Sequence, residues 1–228
     1  MKKIVICSCA THHRVAPAKI KELASRPADD FQCEVISDLC GLTVREPQRL
    51  AELAKADFVI ACFPRAVQAL FRFAGVELPV EKILDLRHAE APAILAQLGL
   101  APLATQVSET ALPAWTDAWT PWYPVIDQDR CIHCGKCADF CLFGVYSREN
   151  GQVKVTNPSG CKTNCPACAR ICPQSAIIFP KYDKSPINGG LAIEETLPVD
   201  PASIRKGGTY ETLAARRRTA RPLLQDPP

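Results

Sequence analysis

Two cysteine runs constrain this chain more than any other feature. Eight of its thirteen cysteines lie between residues 131 and 172. The first run, Cys131-Ile132-His133-Cys134-Gly135-Lys136-Cys137-Ala138-Asp139-Phe140-Cys141, is spaced C-x2-C-x2-C-x3-C. The second, Cys161-Lys162-Thr163-Asn164-Cys165-Pro166-Ala167-Cys168-Ala169-Arg170-Ile171-Cys172-Pro173, is spaced C-x3-C-x2-C-x3-C-P. Zinc sites pair two short cysteine knuckles across a spacer, and these repeated runs fit that poorly. Disulfides would need an oxidising compartment. The opening Met1-Lys2-Lys3 leads into only a short apolar stretch, so the sequence carries no evident secretory signal. A cubane cluster suits the spacing better. It presents four irons at the corners of a tetrahedron, each needing one thiolate. Three closely spaced cysteines cap one face, and the fourth ligand comes from elsewhere.

The two runs resemble the thiolate pattern of bacterial ferredoxins that hold two [4Fe–4S] clusters, over roughly residues 122 to 182. In that family the fourth cysteine of each run crosses to the other cluster. The resemblance therefore implies one cluster on Cys131, Cys134, Cys137 and Cys172, and a second on Cys161, Cys165, Cys168 and Cys141. Two departures stand out. Leu142 occupies a position that often holds proline, and the x3 step after Cys161 enlarges that loop. Both bear on loop geometry more than on ligand count.

Short apolar segments flank each run. Tyr123 to Asp127 and Val153 to Thr156 precede the loops, while Val145 to Ser147 and Ala176 to Phe179 follow them. Each half reads as a strand, a cysteine loop with a short helix, and a returning strand. The clusters replace much of the apolar core that so small a unit lacks. Ile132, Phe140, Phe143, Ile171, Ile177 and Ile178 are expected to exclude water from them. His133 is a candidate for coupling protons to reduction, or is simply exposed.

Residues 1–110 carry an alternating β/α rhythm. Strands are expected at Lys3–Cys9, Cys33–Ser37, Phe58–Phe63 and Ile83–Leu86. Helices are expected at Pro17–Arg26, Pro47–Ala56, Arg65–Ala74 and Ala91–Leu98. Strands alternating with helices imply a parallel sheet covered on both faces. The fold class is thus a small doubly wound parallel-sheet α/β domain, followed by an α+β ferredoxin-like two-[4Fe–4S] domain over residues 125–182.

Open parallel sheets bind ligands beyond the carboxyl ends of their strands. Cys7 and Cys9 close the first strand, Cys40 lies in the loop after the second, and Cys62 closes the third. Only Cys33 falls near a strand's start, where it reads as a small buried hydrophobe. Ile6-Cys7-Ser8-Cys9, Leu39-Cys40-Gly41 and Ala61-Cys62-Phe63-Pro64-Arg65 resemble, more loosely, the amino-terminal domain of heterodisulfide reductase flavin subunits. That resemblance implies a third [4Fe–4S] cluster on Cys7, Cys9, Cys40 and Cys62, working beside a flavoprotein or other partner subunit. The flavin-binding portion of that family is absent, so its disulfide chemistry does not carry over. A redox dithiol and plain core packing remain open for these cysteines. His12, His13 and Arg65 adjoin the same edge. His12 and His13 read as solvated or touching a site, and Arg65 as offsetting cluster charge or bridging at the surface. No glycine-rich phosphate loop follows the first strand, so tight nucleotide binding is not expected.

Residues 111–124 form a Trp/Pro-rich linker. Trp115, Trp119 and Trp122 could share one helical face, although Pro121 limits a helix there. They read as a wedge between the domains, or as a partner surface. Residues 183–228 read as an extended basic tail, solvated or docking an acidic partner through Arg205, Lys206, Arg216, Arg217, Arg218 and Arg221. A formal net charge of +3 excludes a dedicated nucleic-acid binder, and no apolar run is long enough to cross a bilayer. Together these features describe a cytoplasmic iron–sulfur electron-transfer protein, the relay subunit of a multi-subunit oxidoreductase with a redox partner protein. No catalytic side chains are evident. Two alternatives stay open: a reductase acting on a small substrate at the amino-terminal cysteines, and a redox sensor.

Overall fold

Strand β1 (Lys2–Cys7) shows why the first half folds as it does. Its side chains alternate, placing Ile4 and Ile6 in one apolar cluster and Val5 and Cys7 in another, and both clusters are buried. A strand buried on both faces needs helices on each. Strands β2 (Phe31–Ile36), β3 (Phe58–Ala61) and β4 (Ile83–Asp85) complete a parallel sheet of order β2-β1-β3-β4. Helices α1 (Pro17–Ala24) and α5 (Ala91–Leu98) cover the Ile4 and Ile6 face. Helices α2 (Leu39–Arg45), α3 (Pro47–Leu53) and α4 (Pro64–Phe73) cover the other. Proline opens α1, α3, α4 and α5, where its missing N–H costs nothing and its fixed φ suits the first turn.

The structure, a computed structural model, describes residues 2–25, 31–100 and 111–191. The described residues up to Leu191 belong to a single compact unit. The basic residues between 205 and 221 lie outside the described residues.

The second half is built from very short pieces. Strand β5 (Val125–Ile126) pairs antiparallel with β8 (Ile177–Ile178), and β6 (Tyr146–Glu149) with β7 (Gln152–Val155). Helices α6 (Lys136–Phe140) and α7 (Ala167–Arg170) follow the cysteine loops. The β5–β8 pair is a wall with two apolar faces. Val125 and Ile178, which pair directly, join the core with α4, whereas Ile126 and Ile177 pack among the cysteines.

Two expectations need correction. Residues 39–45 are helical, so Cys40 sits in the first turn of α2 and not in a loop. Asp38 caps that helix, its Oδ1 accepting from the Gly41 amide at 3.2 Å. Residues 111–124 form no helix; they run as an extended strap. Trp115 lies over Gly41, Trp119 stacks on Tyr123 with ring centroids 5.9 Å apart, and Trp122 packs against Phe179 at 5.5 Å. Ile132, Phe140 and Phe143 are 60%, 52% and 42% exposed, yet Ile132 and Ile177 line the pocket of Cys131 and Cys134, and Phe140 and Phe143 that of Cys161 and Cys165; Ile178 joins the core with α4 instead.

A β-carbon at Gly41 would overlap the Trp115 ring. Gly41→Ala gains about 0.5–1 kcal/mol of helix propensity but forces overpacking that costs about 1–3 kcal/mol. The steric cost wins. Urea unfolding should show a net loss of stability, and a variant as stable as the parent would mean that the strap is not fixed there.

Candidate functional site

In the second half, one pocket is lined by Cys131, Cys134, Cys137 and Cys172, and another by Cys141, Cys161, Cys165 and Cys168. Each quartet takes three cysteines from one run and the last from the other. Backbone geometry repeats with them. His133 and Asn164, each just before the second cysteine of its run, have φ of 51° and 62°. Gly144 and Ser175, each three residues past the fourth cysteine, have φ of 60° and 48°. The two loops are therefore built alike, and the additional residue of the second run is accommodated between Cys161 and Asn164. Gly135 also has a positive φ, 78°, and the Arg148 guanidinium lies where a β-carbon would project.

The sulfurs are met by donors. The Ala176 amide donates to Cys172 Sγ at 3.3 Å, and the Tyr146 hydroxyl to Cys168 Sγ at 3.0 Å. His133 is half-buried, with Nδ1 accepting from the Val153 amide at 3.3 Å and 3.7 Å from Cys131 Sγ. Burial pushes the Cys161 thiol up to about 12 and those of Cys137 and Cys168 to about 11. Thiols so placed release their protons when iron binds, which couples metal uptake to pH. Among the described residues, no three His, Cys, Asp or Glu side chains stand close enough to share one ion.

Trp122 Nε1 is a buried donor without a partner, in the packing group that contains Cys137 and Cys168. The thiol set, its N–H and O–H donors and that spare indole donor fit a polar sulfide-rich group. They suit no purely apolar filling.

The amino-terminal cysteines form the other concentration of thiols. Cys7, Cys9, Cys40 and Cys62 are all buried; Cys62 hydrogen-bonds Cys9, and the charge of Cys9 acts on the other three. The α2 amide of Leu39 donates to Cys7 Sγ at 3.3 Å, and Tyr123 Oη donates to the Cys40 carbonyl at 2.7 Å. Cys33 lies elsewhere. It pairs in register with Ile4 and packs against the opposite face of the sheet.

Lys181 enters this thiol group from the second half of the chain, a placement with no signal in the sequence. It is 3% exposed, and its Nζ donates to Cys9 Sγ at 3.2 Å and to Asp38 Oδ2 at 2.5 Å. Asp38 is fully buried and also accepts from the Thr11 hydroxyl at 2.6 Å. The backbone around Lys181 is clamped: Arg14 Nε donates to the Lys181 carbonyl, while Arg87 donates to the carbonyls of Pro180 and Tyr182.

Charges in this pocket act on one another. Burial and the Asp38 charge push the Cys7 thiol up to about 12. A hydrogen bond from Cys62, with help from the Lys181 charge, draws Cys9 down to about 5 against its burial. Burial opposes ionisation of Asp38, but Lys181, Thr11 and the Gly41 amide hold its carboxyl below the usual range. His12 is pushed down to about 4 by burial and by Lys181, so it is neutral at pH 7. Its Nδ1 is 3.0 Å from the Thr11 hydroxyl, and its ring packs near Trp122. Arg65 does not reach this pocket by any hydrogen bond. It pairs with Asp127 at 2.6 Å and donates to the Ser175 carbonyl, tying α4 to the second half.

Strand pairs, short helices and two cysteine-lined pockets place the chain in the ferredoxin class of iron–sulfur proteins. The family model for the 4Fe-4S dicluster domain matches residues 123–196. An uncharacterised ferredoxin of Methanocaldococcus jannaschii is 53% identical over 60 residues, which is 26% of this chain and 41% of that protein. Pyruvate synthase subunit PorD of Thermotoga maritima is 35% identical over 68 residues, 30% of this chain and 68% of that one. Ferredoxin-3 of Nostoc sp. is 33% identical over 85 residues, 29% of this chain and 87% of that one. The chain belongs to the 4Fe-4S dicluster ferredoxin family and binds [4Fe–4S] clusters. It spans about two fifths of the length of the archaeal ferredoxin. No helix among the described residues is long and apolar enough to cross a membrane.

Proposed function

We propose that this chain is an electron-relay subunit of a multi-subunit oxidoreductase, carrying two [4Fe–4S] clusters in its second half and a third in its first. The observation that carries the reading is the crossed pair of cysteine quartets. One cluster takes Cys131, Cys134, Cys137 and Cys172, and the other Cys141, Cys161, Cys165 and Cys168. Cubanes pass single electrons without catalytic side chains, and the family relative PorD is named as a subunit of a pyruvate synthase. The partner is a redox protein, for which a flavoprotein is the first candidate.

The third cluster takes Cys7, Cys9, Cys40 and Cys62. Its support is the gathering of four buried thiols at the carboxyl edge of the sheet, with the loose resemblance to heterodisulfide reductase flavin subunits. Clusters held by so many thiolates suit a reducing, cytoplasmic setting. A substrate-reducing site is disfavoured by burial: Cys7, Cys9, Cys40 and Cys62 are only 5%, 1%, 4% and 6% exposed.

Anaerobically purified protein should hold about twelve irons and twelve sulfides per chain. About eight would remove the amino-terminal cluster from the proposal. Cys172→Ser and Cys141→Ser should each disturb the cluster whose other three ligands lie in the opposite run. Loss of the same-run cluster in each variant would overturn the crossed assignment. Reduction by dithionite should be reversible, with electrons passing to a viologen and no small substrate consumed.

A further inference from the structure

Lys181 is the residue whose placement the relay reading leaves unexplained. Burying an ammonium is costly unless it is paired and hydrogen-bonded. Asp38 supplies the pair, yet the same Nζ also points to the Cys9 sulfur. Its backbone is held from the first half by arginine hydrogen bonds on the carbonyls of Pro180, Lys181 and Tyr182. A lysine serving only a buried ion pair would need neither the thiol contact nor that clamp.

We propose that Lys181 is a positioning residue for the amino-terminal iron–sulfur group, delivering a fixed positive charge and a hydrogen bond to the Cys9 ligand sulfur from the ferredoxin half of the chain. The inference rests on the assignment of a third cluster to Cys7, Cys9, Cys40 and Cys62. Four thiolates leave a cubane with net negative charge, and taking up one electron makes it more negative. A cation beside a ligand sulfur favours the reduced form, because charge-assisted donors to sulfur strengthen as electron density on it rises. Asp38, paired with the same ammonium and itself close enough to act on Cys7 and Cys40, works against it. The two residues therefore shift the potential in opposite directions, and a purely structural pair would not.

The test uses the full chain, purified without oxygen, with dithionite as reductant in a titration followed by electron paramagnetic resonance. Cys62→Ser identifies the amino-terminal signal by its loss. Asp38→Asn keeps the α2 cap and should make that group easier to reduce. Lys181→Met added to Asp38→Asn strands no buried carboxylate. Relative to Asp38→Asn alone, it should lower the reduction equilibrium at least tenfold, about 59 mV for one electron. The two ferredoxin signals should stay in place. Loss of about four irons from the double variant, with both ferredoxin signals intact, also supports the proposal, since the group then needs the ammonium to be retained. A double variant with about twelve irons and the same potential as Asp38→Asn overturns it. If the unmodified chain holds only about eight irons, the third cluster itself is absent. The proposal then falls for that separate reason.

Discussion

Removing iron with a chelator under reducing conditions will unfold the cysteine-rich segment and leave the parallel sheet standing. The second half has no element that could persist alone. Its helices are five and four residues long, and its strands two or four. Isolated helices shorter than about 12–15 residues are marginal in water, and a lone two-stranded hairpin is little better. The cysteines themselves are part of the packing there, with Cys137 and Cys168 among its buried members. Metal binding energy is folding energy in such a unit. The first half is different, since its sheet is sandwiched between two apolar clusters built mainly from Ile, Leu, Val, Ala and Phe. Hydrogen exchange should read a gradient. Amides of β6 and β7 will lose protection completely, those of β1 and β3 will keep it, and β5 and β8 will lie between, because Val125 and Ile178 remain docked beside α4. Continued protection of β6 and β7 without iron would mean that the hairpin is held by contacts other than the clusters.

That gradient also marks how much could be read from sequence. The β/α rhythm of the first half was legible because each strand is a short apolar run and most helices open on a proline. The two cysteine runs were legible because their spacing is a local property, whereas the crossing of the fourth cysteines came from the family resemblance, and the pockets group the same residues. Helix α2 was not. Gly41, Thr43 and Val44 have weak helix propensity, and the helix exists because Asp38 caps it and its Leu39, Cys40 and Leu42 are buried. The sequence did hold one signal, an Asp directly before an apolar pair at i and i+3. The Trp115 to Trp122 segment carried helical spacing that Pro113, Pro121 and Pro124 override, and tertiary contacts keep it extended. Lys181 had no local signal of any kind. Its partners Cys9 and Asp38 are 172 and 143 residues away in sequence, and a lone lysine after proline reads as surface.

Lys181→Met alone should be among the most damaging substitutions in the chain. Breaking a buried ion pair from one side leaves an uncompensated charge and costs about 3–5 kcal/mol. The side chains of Lys181 and Asp38 are 3% and 0% exposed, so solvent does little to screen the loss. The pH dependence gives the cause away. In the parent, Asp38 is held below its ordinary value of 3.8. Its contribution is present above that value and is lost as pH falls through the lower folded one. In the variant the carboxyl keeps its burial and loses its cation, so its folded value rises above 3.8. The folded state then binds more protons than the unfolded one between those two values, and stability falls as pH rises through that window. On acidification the variant therefore recovers above 3.8, whereas the parent weakens only below it. Adding Asp38→Asn should abolish the variant's inverted trend and restore much of the lost stability, because an amide can be buried at far smaller cost than a carboxylate. Equilibrium unfolding at several pH values reads all three. A single variant with the same pH slope as the parent would show that Asp38 finds another cation, and Arg14 and Arg87 already bond the carbonyls beside Lys181.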